Sequence, residues 1–162
     1  MKLVLAIGII STLYSCYSFK GISIPPDIKT FQVETFSVRA INAPANIEVQ
    51  FSEALRNKIL VESRLKQDNN NPDIVFSGEL NRYDISAEAP KEGNIVALNK
   101  LEISVKVDYQ NNKDEKDKWS KTFSFFQTYD SSLDLQLVEN QLIRVIFEQL
   151  TERIFNDAFT KW

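Results

Sequence analysis

The chain has 162 residues, 43% of them hydrophobic, no histidine, a single cysteine and a formal net charge of −3. That is one domain of ordinary size with enough apolar material for a core, and a slightly acidic chain without a basic cluster is a poor nucleic-acid binder. Without histidine, and with Cys16 placed behind an export signal, zinc sites and histidine-assisted nucleophilic catalysis are excluded, as is a disulfide within the chain.

The first residues read as that export signal. Lys2 supplies positive charge, and an apolar run from Leu3 to Ile10 is extended by Ser11, Thr12 and Leu13. This is the length of a signal-peptide core and far short of the ~20 apolar residues of a membrane-spanning helix. Leu13-Tyr14-Ser15-Cys16 resembles the bacterial lipobox, with a branched apolar residue three before the cysteine and a small one just before it. Tyr14 departs from the pattern, which prefers something smaller. The expectation is that residues 1–15 are removed and that Cys16 becomes the acylated first residue; a buried thiol is the plainer role for it. Each buried methylene contributes about 0.8 kcal/mol, so one chain such as palmitate anchors marginally. The three chains of a bacterial lipoprotein cysteine anchor durably. No other cofactor is expected.

Residues 16–29 follow as a tether, because Pro25 and Pro26 forbid a helix and favour an extended path. Residues 30–162 form the single folded domain. Phe31 to Val38 predicts a first strand by near alternation. Asn46 is placed to cap a helix in which Ile47, Phe51, Ala54, Leu55 and Ile59 recur at helical spacing as far as Ser63. Arg64 to Lys66 is a short extended piece, and Asp68-Asn69-Asn70-Asn71-Pro72 is a break.

Three strands come next. Ile74, Phe76, Gly78 and Leu80 alternate, and the parity then shifts to Tyr83, Ile85 and Ala87, which predicts a bulge near Asn81-Arg82. A turn at Ala89 to Asn94 leads to the cleanest alternation, Leu101, Ile103, Val105, Val107 and Tyr109 against Glu102, Ser104, Lys106 and Asp108. Beyond a charged loop, Trp119, Lys121, Phe123 and Phe125 alternate with Ser120, Thr122 and Ser124. Ser132 or Asp134 opens a long last helix on which Leu135, Val138, Leu142, Val145, Ile146, Leu150, Ile154 and Ala158 keep the 3.6-residue period.

The order β-α-β-β-β-α predicts an α+β two-layer sandwich. In it a four-stranded mixed sheet has both helices on one face and a polar, wet opposite face. Glu102 and Lys106 on that face, together with Lys100 and Arg82, are the candidate contacts to a partner or to anionic lipid phosphates. Their alternative role is as solubilising charges on a wet strand. Phe123, Phe125, Phe126 and Tyr129 are either core and strand-end packing or contacts to a lipid or partner.

No enzyme site emerges. The carboxylate pairs Asp114/Glu115 and Asp130/Asp134 fall in a charged loop and at a helix start, where solvation and capping explain them, and not in a cleft at a set separation. The acidic and amide residues of Gln67 to Asp73 do not have calcium-loop spacing, and the four glycines make no phosphate cradle.

With these elements in place the chain resembles the Bacteroidetes-type LptE lipoproteins. The resemblance lies in Cys16-Tyr17-Ser18-Phe19, in Gly21 to Thr30, in Phe51-Ser52-Glu53-Ala54-Leu55-Arg56-Asn57-Lys58, in Ala97-Leu98-Asn99-Lys100-Leu101, in Tyr129-Asp130-Ser131-Ser132 and in Trp162, in that order along the chain. The resemblance implies a non-enzymatic lipoprotein in the inner leaflet of the outer membrane. It would plug the lipopolysaccharide-export β-barrel, help it assemble and assist delivery of lipopolysaccharide to the surface. Some members of the family bind lipopolysaccharide through basic residues, which cannot be matched to positions in this chain. No acidic run follows Cys16, which favours the periplasmic side. The competing expectation is a free-standing periplasmic lipoprotein that binds a lipid or cell-wall ligand on its sheet.

Overall fold

The computed structural model describes residues 23–88 and 97–160. Cys16 and its lipidation, the signal at 1–15, the first part of the tether, the turn at Ala89 to Asn94, and Trp162 lie outside the described residues.

The elements run β1 (Thr30–Val33), β2 (Ser37–Val38), α1 (Ile47–Glu62), β3 (Lys66–Gln67), β4 (Ile74–Glu88), β5 (Leu98–Asn111), β6 (Lys118–Asp130) and α2 (Leu135–Phe159). The α+β class is as expected, but the sheet has six strands rather than four, in the order β3-β1-β4-β5-β6 with β2 also on β4. β1 pairs with β3 and β4 in parallel, while β4, β5 and β6 form antiparallel pairs. A strand–helix–strand connection produces the parallel part and hairpins the antiparallel part.

One extra strand arises because the stretch expected as a single strand over Phe31 to Val38 is broken at Phe36. Gly78 explains the break. Its φ is +155°, and a Cβ there would lie 2.0 Å from the Lys106 carbonyl oxygen and 2.8 Å from the Phe36 ring. Phe36 thus fills the space that a side chain at 78 would take, and it is buried. Its N–H leaves the ladder and donates to Ser52 Oγ at 3.0 Å, while Ser52 donates to the Glu48 carbonyl at 2.7 Å. The chain then rejoins β4 through Ser37 and Val38, opposite Glu79 and Leu80. The other extra strand is the short extended piece after α1, which pairs with β1.

The parity shift in β4 is a real irregularity: the β4–β5 register slips between Leu80 and Arg82. It returns Tyr83 to the face of Leu80, where both are buried. The last helix opens at Asp134, whose carboxylate accepts the Gln136 N–H at 3.0 Å. Asn46 holds the equivalent position before α1 but does not cap it with its side chain; it sits in the left-handed region at φ 62°.

Both helices lie on the apolar face. Phe51, Leu55 and Ile59 of α1, Ile146, Leu150 and Ile154 of α2, and Leu101, Ile103, Val105 and Val107 of β5 belong to one buried cluster. Two edge-on aromatic contacts, Phe36–Phe51 and Phe51–Phe147, run through its centre. Tyr83 fastens the first turns of α2 to β4 by donating to Glu139 Oε1, and burial pushes its phenol well above its ordinary range.

The segment read as a tether is packed on the domain from Ser23 onward. Ser23 N–H donates to the Phe159 carbonyl at 2.8 Å, and Ile24 and Ile28 are buried. Arg64 donates to the carbonyls of Ile24 and Pro25 at 2.9 and 2.8 Å. The two prolines keep the path out of a helix but do not leave it extended: the chain turns at Pro26-Asp27, where Ile28 N–H donates to the Pro25 carbonyl at 3.1 Å, and apolar residues on either side hold it to the core.

Candidate partner-binding face

With both helices on one side, the alternate residues of β5 that point the other way are partly or fully exposed, except Ser104, which its neighbours bury. The structure brings three of the four candidate contacts together there. Glu102 Oε1 lies 3.1 Å from Arg82 Nη1, and Glu102 Oε2 lies 3.6 Å from Lys100 Nζ. The Glu102 and Lys100 side chains are 21% and 25% exposed and Arg82 is 59% exposed, so the arginine is the one held out to a partner. Lys106 is apart from this trio, with Ser104 between it and Glu102 on the same face. It is exposed, opposite Glu79 and Thr122, and Glu79 is engaged by Arg39 at 3.6 Å. Ser104 and Ser124 share a hydrogen bond of 2.6 Å at the centre of the face.

The face is polar but not uniformly so. Phe126, opposite Glu102 on β6, is 49% exposed, and Lys100 Nζ stands 5.3 Å from its ring centroid. Phe125 faces the other way under the Arg153 guanidinium, while Tyr129 is buried and Phe123 packs against the core. Of the aromatic residues left open between packing and contact, Phe126 is the one that protrudes. Farther along, a shallow hollow of about 490 Å³ is lined by Glu34, Ser77, Asp108, Gln110, Lys118 and Ser120 among others.

On the opposite side a larger groove, about 740 Å³, runs between the two helices over Ala54, Val61, Ile143 and Phe147. Lys58 bridges its walls by bonding both Glu62 and Glu152. The Lys58 ammonium and the Asn156 amide hold the Glu152 carboxyl below its ordinary range. The sequence did not reveal this groove, because helical periodicity reports which residues face the core and not how far apart two helices stand.

Asp73 was also missed. Its Oδ2 accepts the N–H groups of Lys29 and Thr30 at 2.7 and 3.0 Å, and its Oδ1 pairs with Lys113 at 3.0 Å. Burial would raise its carboxyl, but the Lys29 N–H, the Lys113 ammonium and the Thr30 N–H outweigh this and hold it at about 2. Three of the four carboxylates weighed as catalytic pairs have structural partners: Asp130 accepts from Ser132 N–H and Oγ, Asp114 from Lys116 N–H, and Asp134 caps α2. Among the described residues no three Cys, Asp or Glu side chains gather as metal ligands, and no helix is long and apolar enough to cross a membrane.

Solved structures share this architecture. A hypothetical protein of Chlamydia trachomatis aligns at TM-score 0.55 and 10% identity, over 81% of this chain and 98% of that one. A neuraminyllactose-binding hemagglutinin homolog of Helicobacter pylori aligns at 0.54 and 11%, over 87% and 88%. Rare lipoprotein B of Shewanella oneidensis aligns at 0.47 and 13%, over 78% and 92%. At such identities the first two establish a common fold and nothing finer. No curated protein matches the chain in sequence. The LptE family model, described as lipopolysaccharide-assembly, matches residues 28–158, from the buried Ile28 to the last turn of α2, and the chain therefore belongs to the LptE family.

Proposed function

We propose that this chain is a lipoprotein subunit of the lipopolysaccharide-export machinery. Lipid on Cys16 would hold it at the periplasmic side of the outer membrane, and it would dock into a β-barrel partner as plug and assembly aid. It contributes contacts and no chemical step. The observation that carries the docking mode is the asymmetry of the sheet: the helices cover one face, and the other presents Ser, Thr and mixed charges. A large barrel has a polar lumen, and hydroxyls with salt-bridged charges suit hydrogen bonding to such a wall.

Reversing two charges on the face, Glu102→Lys with Lys106→Glu, tests this mode. Recovery of the barrel with the tagged chain should fall several-fold while the domain stays folded; unchanged recovery and unchanged barrel assembly would argue against the sheet face. Cys16→Ser tests the anchor and should release the chain from membranes. Full retention in the outer membrane would make the barrel contact, and not lipid, the main attachment. Phe126, with Lys100 beside its ring, favours a second reading, in which the face binds a lipid or cell-wall ligand without a barrel. An isolated barrel-free pool that retains such a ligand would select it.

A further inference from the structure

β6 is the outermost strand on its side of the sheet, and it pairs with β5 from Lys118 to Asp130 without a register shift. Three contacts show which of its backbone groups remain open. Asn111 N–H donates to the Asp117 carbonyl and Ser131 N–H to the Ala97 carbonyl, so pairs of odd-numbered residues are the hydrogen-bonded ones. The 2.6 Å contact between Ser104 and Ser124 suits the closer, non-hydrogen-bonded pairs. The even-numbered residues of β6 therefore turn their N–H and C=O groups outward. Arg153 donates to the Ser124 carbonyl at 3.0 Å, the Gln127 amide reaches the Thr128 carbonyl at 3.5 Å, and Leu133 N–H takes the Asp130 carbonyl. Among the described residues the other outward groups have no protein partner.

Long open edges invite another strand, and proteins blunt them with short edge strands, prolines, bulges or lysines. The opposite edge, β3, is blunted by being two residues long. β6 is 13 residues, has neither proline nor bulge, and carries its lysines only at Lys118 and Lys121. Its middle residue is Ser124, so an antiparallel pairing about a two-fold axis at Ser124 overlaps the whole strand with itself. In that register Lys118 meets Asp130 of the second copy on the polar face. Trp119 meets Tyr129 and Phe123 meets Phe125 on the helix-covered face. Symmetry makes each pair twice, and opposite charges and aromatic pairs are favourable cross-strand neighbours. A slip of two residues loses both the Lys118–Asp130 and the Trp119–Tyr129 matches.

We propose that β6 pairs with β6 of a second copy of this chain, joining the two sheets into one across an isologous interface. Arg153 guards the edge in the single copy: its guanidinium lies 4.9 Å from the Phe125 ring centroid while holding the Ser124 carbonyl. Pairing requires it to give up the carbonyl. A plug enters a lumen as a single copy, so the pair is the form of the chain outside a barrel, and the inference does not rest on the barrel reading.

The test uses the full chain as Cys16→Ser, which leaves no other thiol. Ser124→Cys should trap a disulfide dimer, because Cα atoms about 5.5 Å apart in a hydrogen-bonded pair can be bridged. Ser120→Cys should not, since its two copies would stand about 27 Å apart along the strands. Thr122→Pro removes only an outward N–H. By sedimentation it should weaken the dimer roughly ten-fold or more while sparing the β5 ladder. Arg153→Gln should tighten the dimer. A chain that sediments as a monomer throughout, equal trapping at 120 and 124, or a weaker dimer with Arg153→Gln would overturn the proposal. So would pairing of β6 only with a different protein.

Discussion

Asp73 shows how one carboxylate can hold three distant pieces of chain. It fixes the entry to β1 through two backbone N–H groups and the β5–β6 loop through Lys113. Its pKa in the fold, about 2, lies below the ordinary 3.8, so its contribution is complete above pH 4 and is lost as pH falls from 3.8 through 2. With a 14% exposed side chain it should contribute about 1–2 kcal/mol after screening. Urea unfolding at a series of pH values should show Asp73→Asn destabilised by that amount at pH 7, with the gap to the parent chain closing below pH 3. A gap that does not vary with pH would contradict the assignment. Gly78→Ala should cost about 3 kcal/mol in the same assay, since its Cβ would collide with backbone and not only with a flexible side chain. A melting temperature equal to that of the parent chain would show that β4 and β5 can part there without cost. Neither role was legible beforehand. Asp73 draws its partners from positions 29, 30 and 113, and Gly78 sat unremarked in an apolar alternation because nothing local says that Phe36 lies over it.

The elements were far more legible, and for a physical reason: burial on one face imposes a period, and a period survives in the residue order. β5 has Leu101, Ile103, Val105 and Val107 buried, as alternation required, and α2 starts where a capping aspartate stands. The bulge after Leu80 was readable because one extra residue inverts parity. Pairing too short to make a period was read less well: Ser37–Val38 was merged into one strand with Phe31, and the extended piece expected at Arg64 to Lys66 joins the sheet at Lys66–Gln67. So was an irregular segment that packing holds, as with Ile24 and Ile28. The two helix starts make a contrasting prediction. Asp134→Ala should lower stability by about 1 kcal/mol through the lost cap. Asn46→Gly should be neutral or stabilising, because Asn46 makes no cap bond and occupies a left-handed conformation that glycine adopts freely. A loss for Asn46→Gly as large as for Asp134→Ala would mean that the amide has a capping role.

At the scale of the whole molecule the candidate site is a surface and not a pocket. Strand parity put Glu102 on the open face, and the structure joins Arg82 and Lys100 to it in one ion-paired group. Parity also sets Lys106 on that face, apart from them. Phe126 stands in line with Ser120, Thr122 and Ser124, but a bulky apolar residue beside Phe125 reads as packing, so its protrusion was not legible. One face sealed by helices and one open and polar makes a domain that can dock on one side without disturbing its core. Membership of a lipopolysaccharide-assembly family supplies the setting in which such docking has a purpose. The most direct measurement is to tag the chain, solubilise its membranes gently, purify it and quantify what accompanies it. The account predicts an outer-membrane β-barrel in amounts comparable with the chain itself; recovery of the intact, lipid-anchored chain without such a barrel would contradict it.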